Sequence, residues 1–245
     1  SLARNHNRPM VINQLVYKSN HYCMDFEDLE NKMAAGAKMM ILCSPHNPVG
    51  RVWSREELNK LIELCLKYNV LLVSDEIHSD LVYPSYNHIP IASLSNELEQ
   101  HSVTCIAPSK TFNIPGLMLS ATIIPNEKLR YKFYGVINQF AMGGINIFGM
   151  VAAQAAYTHG DKWLTQLTEY INGNLKYLKS YIDEHIPEIK IVEPQGTYLV
   201  WLDCRELGMN PQTLDDFMIN RARIGLNNGT EFGPGGEGFM RMNIG

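Results

Sequence analysis

Between Asp25 and Tyr157, short apolar runs alternate with stretches of helical periodicity, the pattern of a parallel sheet covered by helices. Met39 to Cys43 (MMILC) predicts a buried strand, and the segment after it, Ser44 to Gly50 (SPHNPVG), holds two prolines and a glycine that exclude a helix. Ser54 opens a helix: Glu57 completes a capping box, and Leu58, Leu61, Ile62, Cys65 and Leu66 form one apolar stripe that ends at Asn69. Val70 to Val73 predicts a second strand, running into Ser74-Asp75-Glu76. Val103 to Ile106 predicts a third, running into Ala107-Pro108-Ser109-Lys110. Polar groups follow each strand.

After Pro125 the pattern is helical to about Tyr134, broken at Gly143-Gly144, and helical again from about Asn146 to Tyr157. A long helix begins at Asp161 with a stripe of Trp163, Leu164, Leu167, Tyr170, Ile171, Leu175, Leu178 and Ile182, wide enough to bridge two domains. Beyond Pro187 the chain predicts strands at Ile189 to Val192 and Tyr198 to Leu202, a helix from Pro211 to Arg223 and a strand from Phe239 to Ile244. This is a smaller α+β unit. Gly229 to Gly238 reads as a mobile loop because strand-like sequence lies close on both sides.

Charge and composition narrow the class. The 245 residues carry 21 Lys and Arg against 25 Asp and Glu, a formal net charge of −4, which excludes a basic nucleic-acid binder. At 45% hydrophobic and 19% charged, the chain can build a packed core and has too little net charge for disorder. Ile145 to Tyr157, its most apolar stretch, is broken by Asn146 and Gln154 and falls short of the roughly 20 residues of a membrane span. Neither nucleic acid nor membrane is an expected partner. The five cysteines (Cys23, Cys43, Cys65, Cys105 and Cys204) include no CxxC pair and read as reduced thiols of a cytoplasmic protein. The chain starts at Ser1 without a leader and stops at Gly245 after an apparent strand, so both domains are expected to be truncated.

In an open parallel sheet, ligands bind beyond the carboxyl ends of the strands, where this chain places Asn47, Asp75 and Lys110. Each alone has an ordinary explanation: an Asp after a strand caps a helix, and a loop Lys is solvated. Together, a lysine, a carboxylate and an amide beyond the strands of one sheet describe a pyridoxal 5'-phosphate site, with the lysine as Schiff-base former and the carboxylate against the pyridine nitrogen. His6, His21, His46, His88, His101, His159 and His185 show neither HxH nor HExxH spacing, so no metal is expected and they read as surface or loop residues. The methionines read as core filler, with Met240 and Met242 beside Arg241 as candidates to border a substrate pocket.

The runs SPHNPVGRVW (44–53), VSDEIHSDLV (73–82), APSKTFNIPGL (107–117), EPQGTYLVWLD (193–203) and GEGFMRMNIG (236–245) resemble the class I and II aminotransferase superfamily of fold-type I enzymes. More narrowly, they are similar to its cystathionine beta-lyase or carbon-sulfur lyase branch. The resemblance covers nearly the whole chain in order. It implies an α/β fold: an aminotransferase-like three-layer domain with a mostly parallel sheet, residues 1–157 being part of this large cofactor-binding domain. Residues 158–245 would then be part of the small α+β C-terminal domain.

Residue by residue, the resemblance implies that Lys110 is the Schiff-base lysine and the base that moves the Cα proton, and that Asp75 pairs with the pyridine nitrogen. Asn47 would hydrogen-bond the cofactor's phenolic oxygen. His78 stands where many aminotransferases have a tyrosine for the same oxygen, which favours the lyase branch. Ser109 would contact the phosphate, and Arg241 would clamp the substrate α-carboxylate. Ala107 stands where many relatives have a phosphate-binding serine and Met118 where many have an arginine, so phosphate binding is less well supplied here. The implied activity is β-cleavage of cystathionine or a related cysteine S-conjugate to thiol, pyruvate and ammonia, by a homodimer whose partner subunit completes the site. The alternatives are an aminotransferase and a non-catalytic regulatory protein that keeps the cofactor fold.

Overall fold

The computed structural model describes residues 6–245. An antiparallel ribbon of β1 (Val16–Lys18) and β2 (His21–Cys23) leads into α1 (Phe26–Ala34). The sheet that follows has strand order β3 (Met39–Cys43), β4 (Leu71–Asp75), β5 (Ser102–Ile106) and β6 (Ala121–Ile123). Its first three strands are parallel and β6 is antiparallel, giving the mostly parallel sheet expected of an α/β fold. Between β3 and β4 lies α2 (Arg55–Tyr68), opened by the expected capping box and closed at Asn69 in the left-handed conformation.

Helices α1 and α2 cover one face of this sheet, where Leu42 and Leu72 pack with Trp53, Leu58, Leu61, Ile62 and Cys65. The other face of β3 is open. Met39 and Ile41 are 55% and 66% exposed, so the strand expected to be buried hides only Leu42. Alternate side chains of a strand point to opposite faces, and only one face of β3 is covered here.

After the short helices α3 (Asn96–Glu99) and α4 (Pro108–Thr111), three long ones follow. These are α5 (Glu127–Gln139), a turn longer than its pattern predicts, α6 (Ile147–His159), capped by the Asn146 side chain, and α7 (Asp161–His185). No described helix is long and apolar enough to cross a membrane. In α7, Ile171, Leu175 and Ile182 are buried whereas Trp163 and Tyr170 face outward, so the apolar stripe is narrower than the sequence indicates.

The second sheet is antiparallel, in the order β7 (Lys190–Val192), β8 (Leu199–Asp203), β10 (Phe239–Asn243) and β9 (Asn227–Asn228). Its core joins Val200, Leu202 and Met240 to the buried stripe of α7. The helix expected over Pro211 to Arg223 is α-helical only in α8 (Pro211–Asp216). Phe217–Arg221 forms a π turn, with the Ala222 N–H bonded to the Phe217 carbonyl. The Gly-rich stretch, expected as a mobile loop, begins with a 3-10 turn over Gly229–Phe232.

The two sheets are stitched together by three of the motif runs. The Gly50 carbonyl accepts from the N–H groups of Gln195 and Gly196 at 2.8 and 3.1 Å, and the Gln195 side chain accepts from Val52 N–H at 2.8 Å. Thr197 N–H donates to the Leu81 carbonyl at 2.6 Å, extending a bridge between Val82 and Gly196. Gly50 has φ +69°, and a Cβ there would lie 2.8 Å from Pro194 Cβ, so no larger residue fits the crossing.

Candidate functional site

The register of the parallel strands sets Cys43, Asp75 and Cys105 side by side, so the loops leaving β3, β4 and β5 start level. Asn47 lies in the loop after β3, Asp75 ends β4, and Lys110 lies in the single turn of α4 after β5. That turn is pinned on two sides. Thr111 Oγ1 donates to Asp80 Oδ2 at 2.7 Å, and the Phe112 ring packs on Tyr157 and Trp163 with centroids 5.6 and 5.7 Å apart.

Asp75 is half-buried, and its carboxylate accepts only a long bond from Ile77 N–H at 3.4 Å. Burial raises its pKa, and the Ile77 N–H and the positive charge of Lys110 oppose that rise. His78 is 3% exposed and lies edge-on to Tyr198 at 5.7 Å, with Nδ1 lacking any partner. Burial, then the charges of Lys110 and Arg241, push its pKa down to about 4, so the ring is neutral near pH 7. Lys110 makes no hydrogen bond or ion pair among the described residues, and neither does the Ser109 hydroxyl.

Arg241 reaches the same place from β10 of the second sheet. Its Nη1 donates to Asn47 Oδ1 at 3.0 Å and its Nη2 to Asn227 Oδ1 at 2.6 Å, and the guanidinium lies 4.7 Å over the Phe232 ring. Burial lowers its pKa, and its Nε is buried without a partner. The structure therefore brings Asn47, Asp75, His78, Lys110 and Arg241 into one electrostatically coupled group, with Ser109 beside Lys110.

Met240 and Met242 do not border this group. They alternate with Arg241 along β10 and so face the opposite side, where both pack into the core under α7. Two of the histidines expected as surface or loop residues lie in loops but have buried ring atoms. His46 Nδ1 is buried, and its ring lies edge-on to Trp53 at 5.9 Å. His88 Nε2 lies 2.8 Å from Glu76 Oε2, both side chains being almost fully buried.

Glu76 was not legible as more than a neighbour of Asp75. Its carboxylate accepts from Ser74 Oγ at 2.9 Å and from Ile91 N–H at 3.2 Å, which with His88 braces the turn that carries Asp75 and His78. Asn227 and Phe232 were also missed, because neither sits in a recognisable run and only the β9–β10 register brings them to Arg241. A cavity of about 510 Å³ opens elsewhere, beside Trp53, Tyr86 and Gln195. Its charges are internally closed, since Arg51 pairs with Glu57 at 2.5 Å and also contacts His21.

Comparison with known proteins agrees with this architecture. The chain is 45% identical over 245 residues to the cystathionine beta-lyase PatB of Bacillus subtilis, covering all of this chain and 63% of that protein. It is 35% identical over 209 residues to the protein MalY of Escherichia coli, covering 85% of this chain and 53% of MalY. The crystal structure of cystalysin from Treponema denticola, which contains pyridoxal 5'-phosphate, superposes with a TM-score of 0.95 at 38% identity. That match covers 98% of this chain and 61% of cystalysin, so the chain spans less than two thirds of each of these relatives. The profile of the aminotransferase class I and II family matches residues 3–245, and the chain belongs to that family.

Proposed function

We propose that the protein is a pyridoxal 5'-phosphate-dependent carbon-sulfur β-lyase that cleaves cystathionine or a related cysteine S-conjugate to a thiol, pyruvate and ammonia. The observation that carries this reading is the convergence of Lys110, Asp75, His78 and Arg241, each with a polar atom that has no hydrogen-bond partner among the described residues. The Bacillus subtilis relative, which matches over the whole of this chain, is itself named a cystathionine beta-lyase.

The residues present fit the cofactor. A half-buried carboxylate with one weak hydrogen bond suits a pyridinium N–H, and the open Lys110 amine suits an aldehyde carbon. The Asn47 Oδ1 is taken by Arg241, which leaves its Nδ2 as the donor that, with His78, would serve the phenolic oxygen. Ser109 would serve the phosphate.

When bound, the cofactor supplies an electron sink for the substrate carbon that loses its proton. Arg241 fixes the amino acid through its α-carboxylate and so sets the direction of the Cα–H bond. Lys110 Nζ removes that proton. Asp75 would pair with the ring nitrogen and so keep the sink charged. His78, neutral and buried, excludes water on that side and adds no charge that would compete with Asp75. The Cβ–S bond then breaks, the sulfur leaves as thiol, and water releases the remainder as pyruvate and ammonia.

The same reading assigns residues 1–157 to a cofactor-binding domain and 158–245 to a small domain, and places the protein in the cytoplasm, where its five free cysteines stay reduced. It also has two copies pairing. Phe140, Met142, Ile145, Ile147, Phe148 and Val151 form an exposed apolar stretch suited to a partner subunit. The test is to incubate the whole protein with pyridoxal phosphate and L-cystathionine in the absence of any keto acid. Stoichiometric pyruvate and thiol are expected. Amino-group transfer that requires an added keto acid, without pyruvate release, would instead assign an aminotransferase.

A further inference from the structure

Arg241 is gripped on three sides, by Asn47 of the loop after β3, by Asn227 of β9 and by Phe232 at the start of the Gly-rich segment. Strand β9 pairs with β10 so that Asn227 stands directly opposite Arg241. Opposed residues of an antiparallel pair project to the same face, so their contact follows from the register. Asn227 Oδ1 accepts from Arg241 Nη2 at 2.6 Å, while Asn227 Nδ2 donates to Glu231 Oε2 at 3.3 Å. The second bond fixes which end of the amide meets the guanidinium.

Phe232 lies 4.7 Å from Arg241 Cζ and is held edge-on by Trp201 at 5.5 Å. The turn between Asn227 and Phe232 is itself locked. Asn228 Oδ1 accepts from the Thr230 N–H and hydroxyl at 3.1 and 2.8 Å. Gly229 and Gly236 pass so closely that a Cβ on either would overlap the other's backbone.

We propose that Asn227 and Phe232 are positioning residues for the substrate-carboxylate clamp, the first held against Arg241 by the β9–β10 register and the second by the locked turn that begins the Gly-rich segment. This rests on the reading of Arg241 as that clamp. A guanidinium has five N–H groups. Asn47 and Asn227 take one each from Nη1 and Nη2, leaving Nε and one hydrogen on each terminal nitrogen for a carboxylate. An arginine so held has already lost the freedom that substrate binding would otherwise have to remove. The amide matters as much as the contact. Asparagine holds the guanidinium without neutralising it, whereas an aspartate at 227 would bind it more strongly and compete with the incoming carboxylate.

The experiment uses the whole protein with its cofactor and the variants Asn227→Asp, Asn227→Ala, Phe232→Leu and Arg241→Lys. It measures KM and kcat for L-cystathionine, melting temperature, cofactor absorbance, and the dissociation constant of propionate by saturation-transfer NMR. Propionate reads the clamp without the reaction. Asn227→Asp is expected to raise KM and the propionate constant about tenfold, about 1.4 kcal/mol, with kcat and absorbance held. Asn227→Ala and Phe232→Leu are expected to raise both roughly threefold, the share of one ordinary contact. A merely structural role predicts that both variants at 227 melt earlier while KM and propionate binding stay unchanged. If Arg241→Lys raises KM while every variant at 227 and 232 leaves it unchanged, the positioning role is overturned and the clamp stands. If Arg241→Lys changes neither KM nor propionate binding, the clamp itself is overturned, and this proposal with it.

Discussion

Arg241 Nη1 donates to Asn47 Oδ1 at 3.0 Å, so the last strand of the antiparallel sheet meets the loop after the first parallel strand through one hydrogen bond, 194 residues apart in sequence. The bond ties the group expected to read the substrate to a group expected to touch the cofactor. Asn47→Ala should therefore change two properties together. KM for the amino acid should rise about tenfold, and the pH dependence of the cofactor's visible absorbance should shift, since one donor to the phenolic oxygen is gone. Steady-state kinetics and a spectral titration measure both; a change in KM with an unaltered titration would place Asn47 with Arg241 alone.

Lys110→Ala should abolish covalent retention of pyridoxal phosphate, because Lys110 is the lysine whose turn is fixed by Thr111 and Phe112 at the strand ends. Borohydride reduction followed by peptide mapping tests this. Recovery of the adduct on a different lysine would remove Lys110 from its assigned role.

Asp75→Asn should bind nearly as much cofactor as the native protein and turn over roughly a hundred to a thousand times more slowly, the usual loss when a preorganised charge is removed from a transition state. An amide can still accept a hydrogen bond but cannot hold a proton on the ring. Near-native kcat would leave Asp75 as a turn residue that bonds Ile77 N–H and nothing more.

Stability should fall as pH drops from 6.5 toward about 4, because His46 and His78 have folded-state pKa values lowered from 6.5 to about 4 by burial. A depressed folded pKa means that the unfolded chain takes up the proton first. The stability from each neutral histidine is thus fully present above pH 6.5 and is lost as pH falls through that window, at about 1.4 kcal/mol per pH unit for each ring. Urea unfolding across the window measures the slope, and His46→Gln should remove one ring's share. A slope untouched by that substitution would contradict the assignment.

Gly50→Ala should destabilise the protein by about 2 kcal/mol or more, since an added methyl meets Pro194 and the backbone is left-handed there. Thermal and chemical melts with a wild-type control decide this. Gly50 lies where the two sheets are stitched, so the variant should also raise KM by loosening the approach of Arg241 to Asn47; an unchanged melting temperature would show that the crossing yields at no cost.

Much of the fold could be read locally. The capping box of Ser54 and Glu57, the stop at Asn69 and the strand ending at Ile106 each depend on residues within a few positions of one another. The placing of Asn47, Asp75 and Lys110 at the carboxyl ends of their strands was legible for the same reason, although β4 runs two residues past its expected end to include Asp75. Long-range facing was not. Nothing near Met39 or Ile41 says which side of β3 the helices cover, and nothing near Met240 says that it turns away from Arg241's face.

The sequence by itself determined the three parallel strands, the helices α2 and α5 to α7, the polar residues that follow each of those strands, and the family, because hydrophobic period, capping and turn chemistry act over a few residues, whereas β1, β2, β6 and β9 were not legible. Tertiary structure alone decided that Asn227 opposes Arg241, that Glu76 is braced by Ser74 and His88, and that His46 is buried beside Trp53. Those outcomes depend on which distant segments pair and which face of each is covered. Register and burial are properties of two surfaces brought together, and neither surface carries the other in its local sequence.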